Sequence, residues 1–297
     1  MNRPASGPGS RPWLVTGAGG MLARDVLAAL GDRAVGLPRT ALDLTDREAV
    51  RAALAALRPT HVVNCAAWTA VDEAETREDE ALAVNGTAVR HLAGACAESG
   101  TRLLHVSTDY VFPGDARSPY PEDAPTGPRT AYGRTKLAGE RAVLELLPER
   151  GLVVRTAWLY GSGGAHFVRT MARLAATRPT VDVVDDQRGQ PTWSADVARL
   201  LVALGDTGAP PGVYHATNSG ETSWYGLARE TFRLLGADPG RVRPVPGAAF
   251  PRPAPRPAYS ALAHHRWAAA GLKPPRPWRE ALAAALPGVV SAGRSAP

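Results

Sequence analysis

Short apolar runs alternate with amphipathic stretches of about a dozen residues through the first half of the chain, and this alternation constrains the fold more than any other feature. Residues 13–16 (WLVT) enter a glycine cluster, Gly17-Ala-Gly-Gly20, and an amphipathic stretch from Met21 to Leu30 ends at Gly31. That predicts a strand, a tight turn and a helix. Further strands are predicted at 34–37, 61–64, 102–107 and 151–155. The helices between them are predicted at 45–57, capped by Thr45, at 72–97 and at 131–147. Such a series folds into right-handed βαβ units around a parallel sheet with both faces covered.

Beyond residue 160 the texture loosens. A strand is predicted at 180–184 and helices at 194–204, 223–235 and 278–286, and eleven of the 27 prolines fall after residue 240. The expected fold is α/β: a Rossmann-type doubly wound parallel sheet with a smaller C-terminal α/β substrate lobe. Residues 13–160 form the nucleotide-binding domain, completed by parts of 180–205. Residues 161–180 and 206–290 form the lobe. Residues 1–12 read as a flexible polar arm and 291–297 as a flexible tail.

Composition narrows the function classes. No run approaches 18 consecutive apolar residues, so no transmembrane helix is expected. Two cysteines, Cys65 and Cys96, cannot build a disulfide framework or a four-ligand zinc site. The opening residues lack the apolar stretch of a signal peptide, which points to the cytoplasm. Nine basic side chains and a single acid, Glu280, lie within 241–297, so the basic excess belongs to one segment. That segment lacks the interleaved aromatics and lysines of a nucleic-acid surface. Of 34 basic residues only Lys136 and Lys273 are lysines. A lysine at a chemically meaningful offset is therefore informative.

Two constellations carry chemistry. The first, Gly17-x-x-Gly20-x-x-Ala23, sits between the first strand and helix, where glycines let backbone approach a pyrophosphate at a helix N-terminus. It is not a phosphate loop of the GxxxxGK[ST] type. Near the end of the second strand, where an acid would bind an adenosine ribose, the chain has Arg39. An arginine suits a 2′-phosphate, so NADPH is favoured over NADH. The alternative is a solvated loop arginine.

The second constellation is Ser107-Thr108-Asp109-Tyr110-Val111-Phe112 followed by Tyr132-x-x-x-Lys136. Tyr132 and Lys136 stand one helical turn apart on one face. An ammonium there is expected to lower the tyrosine pKa from about 10, making it a general acid. Lys136 can also hydrogen-bond a nicotinamide ribose, and Thr108 can hold a substrate carbonyl. Asp185-Asp186 read as loop carboxylates, His264-His265 as surface residues and Cys65 as core.

These residues resemble the extended short-chain dehydrogenase/reductase superfamily and, within it, the dTDP-4-dehydrorhamnose reductase family. The resemblance runs from about Trp13 to Leu286. It is carried by VTGAGGMLARDV, LDLTD, NCAAWTAVDEAE, STDYVFPG, AYGRTKLAGE, RTAWLYG, FVRTM, VDDQRGQPT, GVYHATNSGETSWYGLA and PAPRPAYSAL. It implies that Gly17, Gly20, Met21 and Leu22 line the cofactor pyrophosphate. Asp43 and Leu44 would meet the adenine side, and Ala67, Trp68 and Thr69 the cofactor further along. Thr108, Tyr132 and Lys136 would be the catalytic set. Asp109 and Trp158 would lie at the sugar, with Arg256 and Ser260 facing the dTDP-sugar from the lobe.

The implied activity is NAD(P)H-dependent reduction of the C4 keto group of dTDP-4-dehydro-L-rhamnose. The alternatives are a reductase of another dTDP-4-keto sugar and a non-catalytic, cofactor-sensing protein on the same fold. Some family members dimerise through magnesium held by carboxylates. Asp25 matches the first ligand position, but residues 192–196 lack a glutamate at the second, so that bridge is not expected. The implied partners are a dTDP-sugar and at most a second copy of the chain, with neither nucleic acid nor membrane.

Overall fold

The computed structural model describes residues 12–294. Residues 1–11 of the predicted arm (1–12) and the end of the predicted tail, 295–297, lie outside the described residues.

The apolar runs form the central sheet. Strands β1 (Trp13–Thr16), β2 (Ala34–Leu37), β3 (His61–Asn64), β4 (Arg102–Thr108), β5 (Gly151–Thr156) and a later strand, β10 (Gly212–His215), run parallel in the order β10-β5-β4-β3-β1-β2. β10 was expected in the C-terminal lobe. Its pairing with β5 instead makes it the sixth strand of the nucleotide-binding sheet. Order reverses between β1 and β3, and at such a switch point a parallel sheet opens a crevice beyond its carboxyl ends.

Helices cover both faces. On one side lie α1 (Met21–Leu30) and α8 (Ser194–Asp206); on the other are α2 (Arg47–Leu57), α5 (Ala88–Ser99) and α6 (Ala131–Leu146). In α1 the buried residues are Leu22, Ala23, Val26 and Leu30, one stripe at helical spacing. Each fully buried Leu or Val contributes about 1.5–3 kcal/mol. α8 answers with Val197, Ala198, Leu201 and Leu204. Gly205 ends that stripe because a Cβ there would lie 2.0 Å from the Trp13 ring.

Two helix boundaries differ from expectation. The N-cap of α2 is Asp46, whose side chain accepts from the Ala49 N–H; Thr45 instead donates both its N–H and its hydroxyl to Asp43. The single helix predicted over 72–97 is three. These are α3 (Val71–Ala74), α4 (Glu78–Leu82) and α5, with a π-helical turn at Ala83–Thr87 before α5. Asn85 in that turn accepts from the Trp68 N–H (2.9 Å) and donates back to the Trp68 carbonyl (3.1 Å), so the turn clamps the loop after β3. Wide turns of this kind occur often at functional sites.

The second lobe is built on α7 (Phe167–Thr177), α9 (Trp224–Leu234) and α11 (Trp278–Arg294), while α10 (Arg266–Ala269), a single turn, packs Trp267 against β10 in the core of the sheet. Its two-stranded pieces pair β7 (Val181–Val184) with β12 (Val242–Val245) and β8 (Arg188–Gly189) with β11 (Thr222–Ser223). A third piece pairs β6 (Leu159–Tyr160) with β9 (Thr192–Trp193). α11 runs well past the predicted end at 286 and takes in 291–294, part of the predicted tail. Among the described residues no helix is long and apolar enough to cross a membrane.

Candidate active site

A single cleft of about 1410 Å³ opens at the switch point and extends between sheet and lobe. Pockets for one small ligand hold roughly 300–1,000 Å³, so this one has room for two. All seventeen residues singled out above as cofactor, catalytic or sugar contacts line it.

Its floor begins at the turn after β1. Gly17 has φ +66°, and a Cβ there would lie 2.7 Å from the Ala66 backbone nitrogen, so only glycine fits where β1 and β3 converge. Gly20 is the N-cap of α1 and no side chain caps that end, which leaves its first-turn amides facing the cleft. Beyond β2, Arg39 is exposed at the rim and pairs with Asp43 at 3.5 Å. The Thr45 contacts hold the Asp43 carboxyl below its usual range. This glycine cradle and uncapped helix end match the anionic pyrophosphate of a nicotinamide dinucleotide, NAD(P).

Catalytic candidates come from β4 and α6. Thr108 ends β4 and donates to Asp109 Oδ1 at 2.9 Å. Thr130 caps α6 by accepting from the Gly133 N–H, which sets the helix so that Tyr132 and Lys136 turn toward the same crevice. Lys136 is 1 % exposed. The tyrosine departs from expectation. Burial pushes its pKa up to about 12, the Thr108 hydroxyl pulls it back, and the Asp109 carboxylate pushes it further up. Lys136 does not act on it, because its Nζ is turned to the Val106 carbonyl (2.7 Å) and to His105 Nε2 (3.3 Å). Burial also lowers the lysine, to about 8.

Three polar atoms on the floor, Ser107 Oγ, Thr156 Oγ1 and Asp109 Oδ2, are buried without a hydrogen bond of good geometry. Buried hydroxyls and carboxylates normally find partners, so this group is built to receive one. Desolvation pushes Asp109 up to about 6, partly offset by the nearby Ser260 and Thr108 hydroxyls. The sequence reading placed Ser107 in the second constellation without giving it a role and gave Thr156 none; their place at the ends of β4 and β5 is what marks them.

The lobe supplies the far wall. Trp158 adopts φ +47°, stacks on Trp224 at 3.5 Å and rests against Gly189, where a Cβ would approach its ring to 2.7 Å. Trp224 lies in the quoted stretch GVYHATNSGETSWYGLA but was given no role there. Arg256 donates to Asp72 at 2.8 Å, and Arg252 lies 3.7 Å from the same carboxylate, so the lobe is tied to α3 across the cleft. Among the described side chains of the basic residues in 241–297, only these two line the cleft. Arg243 and Arg276 instead pair with Asp182 and Asp196, and Arg266 donates to the Val213 and Pro211 carbonyls.

Other expectations change with burial. Cys65, predicted as core, packs against the sheet core and also lines the cleft, and burial pushes its thiol up to about 12. His264 is half-buried against the Thr217 hydroxyl (2.8 Å), while His265 is exposed. Asp185 accepts from Ser223 and Asp186 from the Gly247 N–H, as ordered loop carboxylates do. Asp25 accepts from Ser194. Among the described residues no group of three or more His, Cys, Asp or Glu is placed to hold a metal ion.

Sheet, glycine turn and Thr–Tyr–Lys set define a nicotinamide-dependent reductase of the short-chain dehydrogenase/reductase type. A family model described as the RmlD substrate binding domain matches residues 11–290, and the chain belongs to that family, the dTDP-4-dehydrorhamnose reductases. It is 59% identical over 299 residues to a dTDP-4-dehydrorhamnose reductase of Streptomyces griseus, covering 98% of each chain. It is 56% identical over 278 residues to a dTDP-4-keto-6-deoxy-D-glucose reductase of Streptomyces niveus, covering 93% of this chain and 96% of the relative. The crystal structure of the Bacillus anthracis dTDP-4-dehydrorhamnose reductase in complex with NADP superposes with a TM-score of 0.88 at 34% identity, covering 96% of this chain and 99% of that one.

Proposed function

We propose that the protein reduces the C4 keto group of dTDP-4-dehydro-L-rhamnose to give dTDP-L-rhamnose, with NADPH as reductant. The observation that carries this reading is the single cleft joining the Gly17 turn, the Thr108–Tyr132–Lys136 set and the Trp158–Arg256 wall. The cofactor, when bound, supplies hydride. Gly17, Gly20, Met21 and Leu22 hold its pyrophosphate, Arg39 its 2′-phosphate, Asp43 and Leu44 its adenosine side, and Ala67, Trp68 and Thr69 the remainder.

Thr108 positions the substrate carbonyl oxygen and Tyr132 gives its phenolic proton to the developing alkoxide. A phenol near 12 stays protonated at neutral pH, yet is far more acidic than an alkoxide's conjugate alcohol, so transfer runs downhill. Lys136 orients the nicotinamide ribose. Asp109, Trp158, Arg256 and Ser260 hold the nucleotide sugar, the arginine by exchanging Asp72 for the diphosphate. Positioning and matched proton donation supply the acceleration. The reaction is placed in the cytoplasm, consistent with the two free cysteines, Cys65 and Cys96.

A second reading, favoured by the Streptomyces niveus relative, takes the C4 keto group of another dTDP-6-deoxy sugar. The test follows absorbance at 340 nm with purified protein, NADPH or NADH, and dTDP-4-dehydro-L-rhamnose generated in situ. Oxidation with that sugar is expected. Oxidation only with other dTDP-4-keto sugars selects the second reading, and none with any sugar rejects both. Tyr132→Phe is expected to lower turnover by orders of magnitude while NADPH affinity is nearly kept. Turnover within a fewfold of the parent would remove Tyr132 as the acid.

A further inference from the structure

We infer that His105 is a positioning residue for Lys136, held by Asn64 in the one tautomer that presents an N–H to the lysine nitrogen and so favours its amine form. The inference rests on the reading of Lys136 as the partner of Tyr132.

The argument begins at a strict donor. The Ala66 backbone N–H meets Asn64 Oδ1 at 3.1 Å, and the Thr16 hydroxyl donates to the same oxygen at 2.7 Å. A backbone N–H can only donate, so the atom it meets is the amide oxygen and the Asn64 side chain has one permitted orientation. Its Nδ2 then faces His105 Nδ1, 3.0 Å away. An amide NH₂ also only donates. His105 Nδ1 is therefore the bare ring nitrogen, and the proton of the neutral ring sits on Nε2.

Nε2 lies 3.3 Å from Lys136 Nζ. His105 is fully buried, and burial together with the lysine holds it well below its usual pKa, so the ring stays neutral. An N–H aimed at a nitrogen is satisfied only by a lone pair, which an amine has and an ammonium lacks. The same Nζ donates to the Val106 carbonyl at 2.7 Å, which either form can do. Gly139 on α6 is part of the fit, since a Cβ there would come within 3.3 Å of Nε2.

The other groups around Lys136 act in the opposite sense. Glu140, one turn further along α6, and Cys65, at the end of β3, both favour the ammonium. Glu140 is shared with Arg155, which grips both its oxygens at 2.7 and 2.9 Å. Tyr132 stands one turn before Lys136 on the same helix. An ordinary lysine, at about 10.5, stays ammonium through neutral pH. Burial lowers Lys136 to about 8, and the His105 N–H aimed at Nζ adds to that preference for the amine, so Lys136 can change charge in the working range.

Lysine scarcity makes this directly measurable. Labelling the lysine side chains of the full chain gives two NMR signals, and Lys273→Arg leaves that of Lys136 alone. The Lys136 midpoint is expected near 8 in the parent and about one pH unit or more higher in His105→Phe. It should return toward the parent value in His105→Gln, whose amide can accept from Asn64 and donate to Lys136. The alkaline limb of the kcat profile should move with it. A parent midpoint near the ordinary lysine value, or an unmoved midpoint in folded His105→Phe, overturns the inference. Nitrogen-15 histidine spectra of the unaltered protein give a second test that needs no folded Phe variant. A proton on His105 Nδ1 overturns the tautomer, and one on Nε2 supports it. Absence of sugar reduction would reject the proposed activity while leaving these titrations readable.

Discussion

Asp109 offers the sharpest perturbation, because its carboxylate is 3 % exposed and pushed up to about 6 from an ordinary 3.8. At about 1.36 kcal/mol per pKa unit, that gap corresponds to about 3 kcal/mol of destabilisation when the group is ionised. The folded chain binds the proton more tightly than the unfolded chain between about pH 4 and 6. Stability from this group therefore falls as pH rises through that window and stays lost above it. Asp109→Asn keeps an oxygen for the Thr108 hydroxyl and cannot ionise. The variant is expected to be about 2–3 kcal/mol more stable than the parent at pH 8, roughly 5 °C or more in unfolding midpoint, with the advantage shrinking toward pH 4. Scanning calorimetry at several pH values reads both. Equal midpoints at pH 8, or an advantage independent of pH, would refute the reasoning. Turnover should fall, as expected where a strained group is kept for its chemistry.

Further perturbations follow from the same geometry. Arg39→Asp is expected to shift the ratio of kcat/KM toward NADH, since a carboxylate at the rim repels a 2′-phosphate and accepts from a ribose hydroxyl; an unchanged ratio would remove the argument for NADP. Glu140→Ala should cost about 3–5 kcal/mol in urea unfolding, because it leaves the 4 %-exposed Arg155 guanidinium buried without its carboxylate. A loss below about 1 kcal/mol would place that pair among weak surface bridges.

Much of the site was legible because it is carried by local spacing. The Gly17 turn follows a strand by one residue, and Tyr132 and Lys136 differ by one helical turn, so periodicity alone puts them on one side. Thr156, Trp224 and Asn85 were given no role, since local pattern does not distinguish a cleft hydroxyl, a stacked indole or a π-turn amide from an ordinary one. The Tyr132 pKa was misjudged for the same reason. A four-residue offset shares a helix face, but whether the ammonium points at the phenol depends on what β4 offers it. Here the Val106 carbonyl and His105 draw it away.

The sequence by itself determined the alternation of strands and helices, the parallel sheet and the glycine cradle, because each follows from side-chain period and backbone freedom over a few residues. It also confined the basic excess to 241–297. What only the tertiary structure decided was how those charges are used. Arg252 and Arg256 reach the cleft, while Arg243 and Arg276 are consumed in pairing with Asp182 and Asp196 and Arg266 in fastening α10 to β10 of the sheet. It also decided that β10 completes the sheet and that Lys136 answers to His105. Burial and partner choice are set by residues tens of positions apart, and no local pattern records which of them will meet.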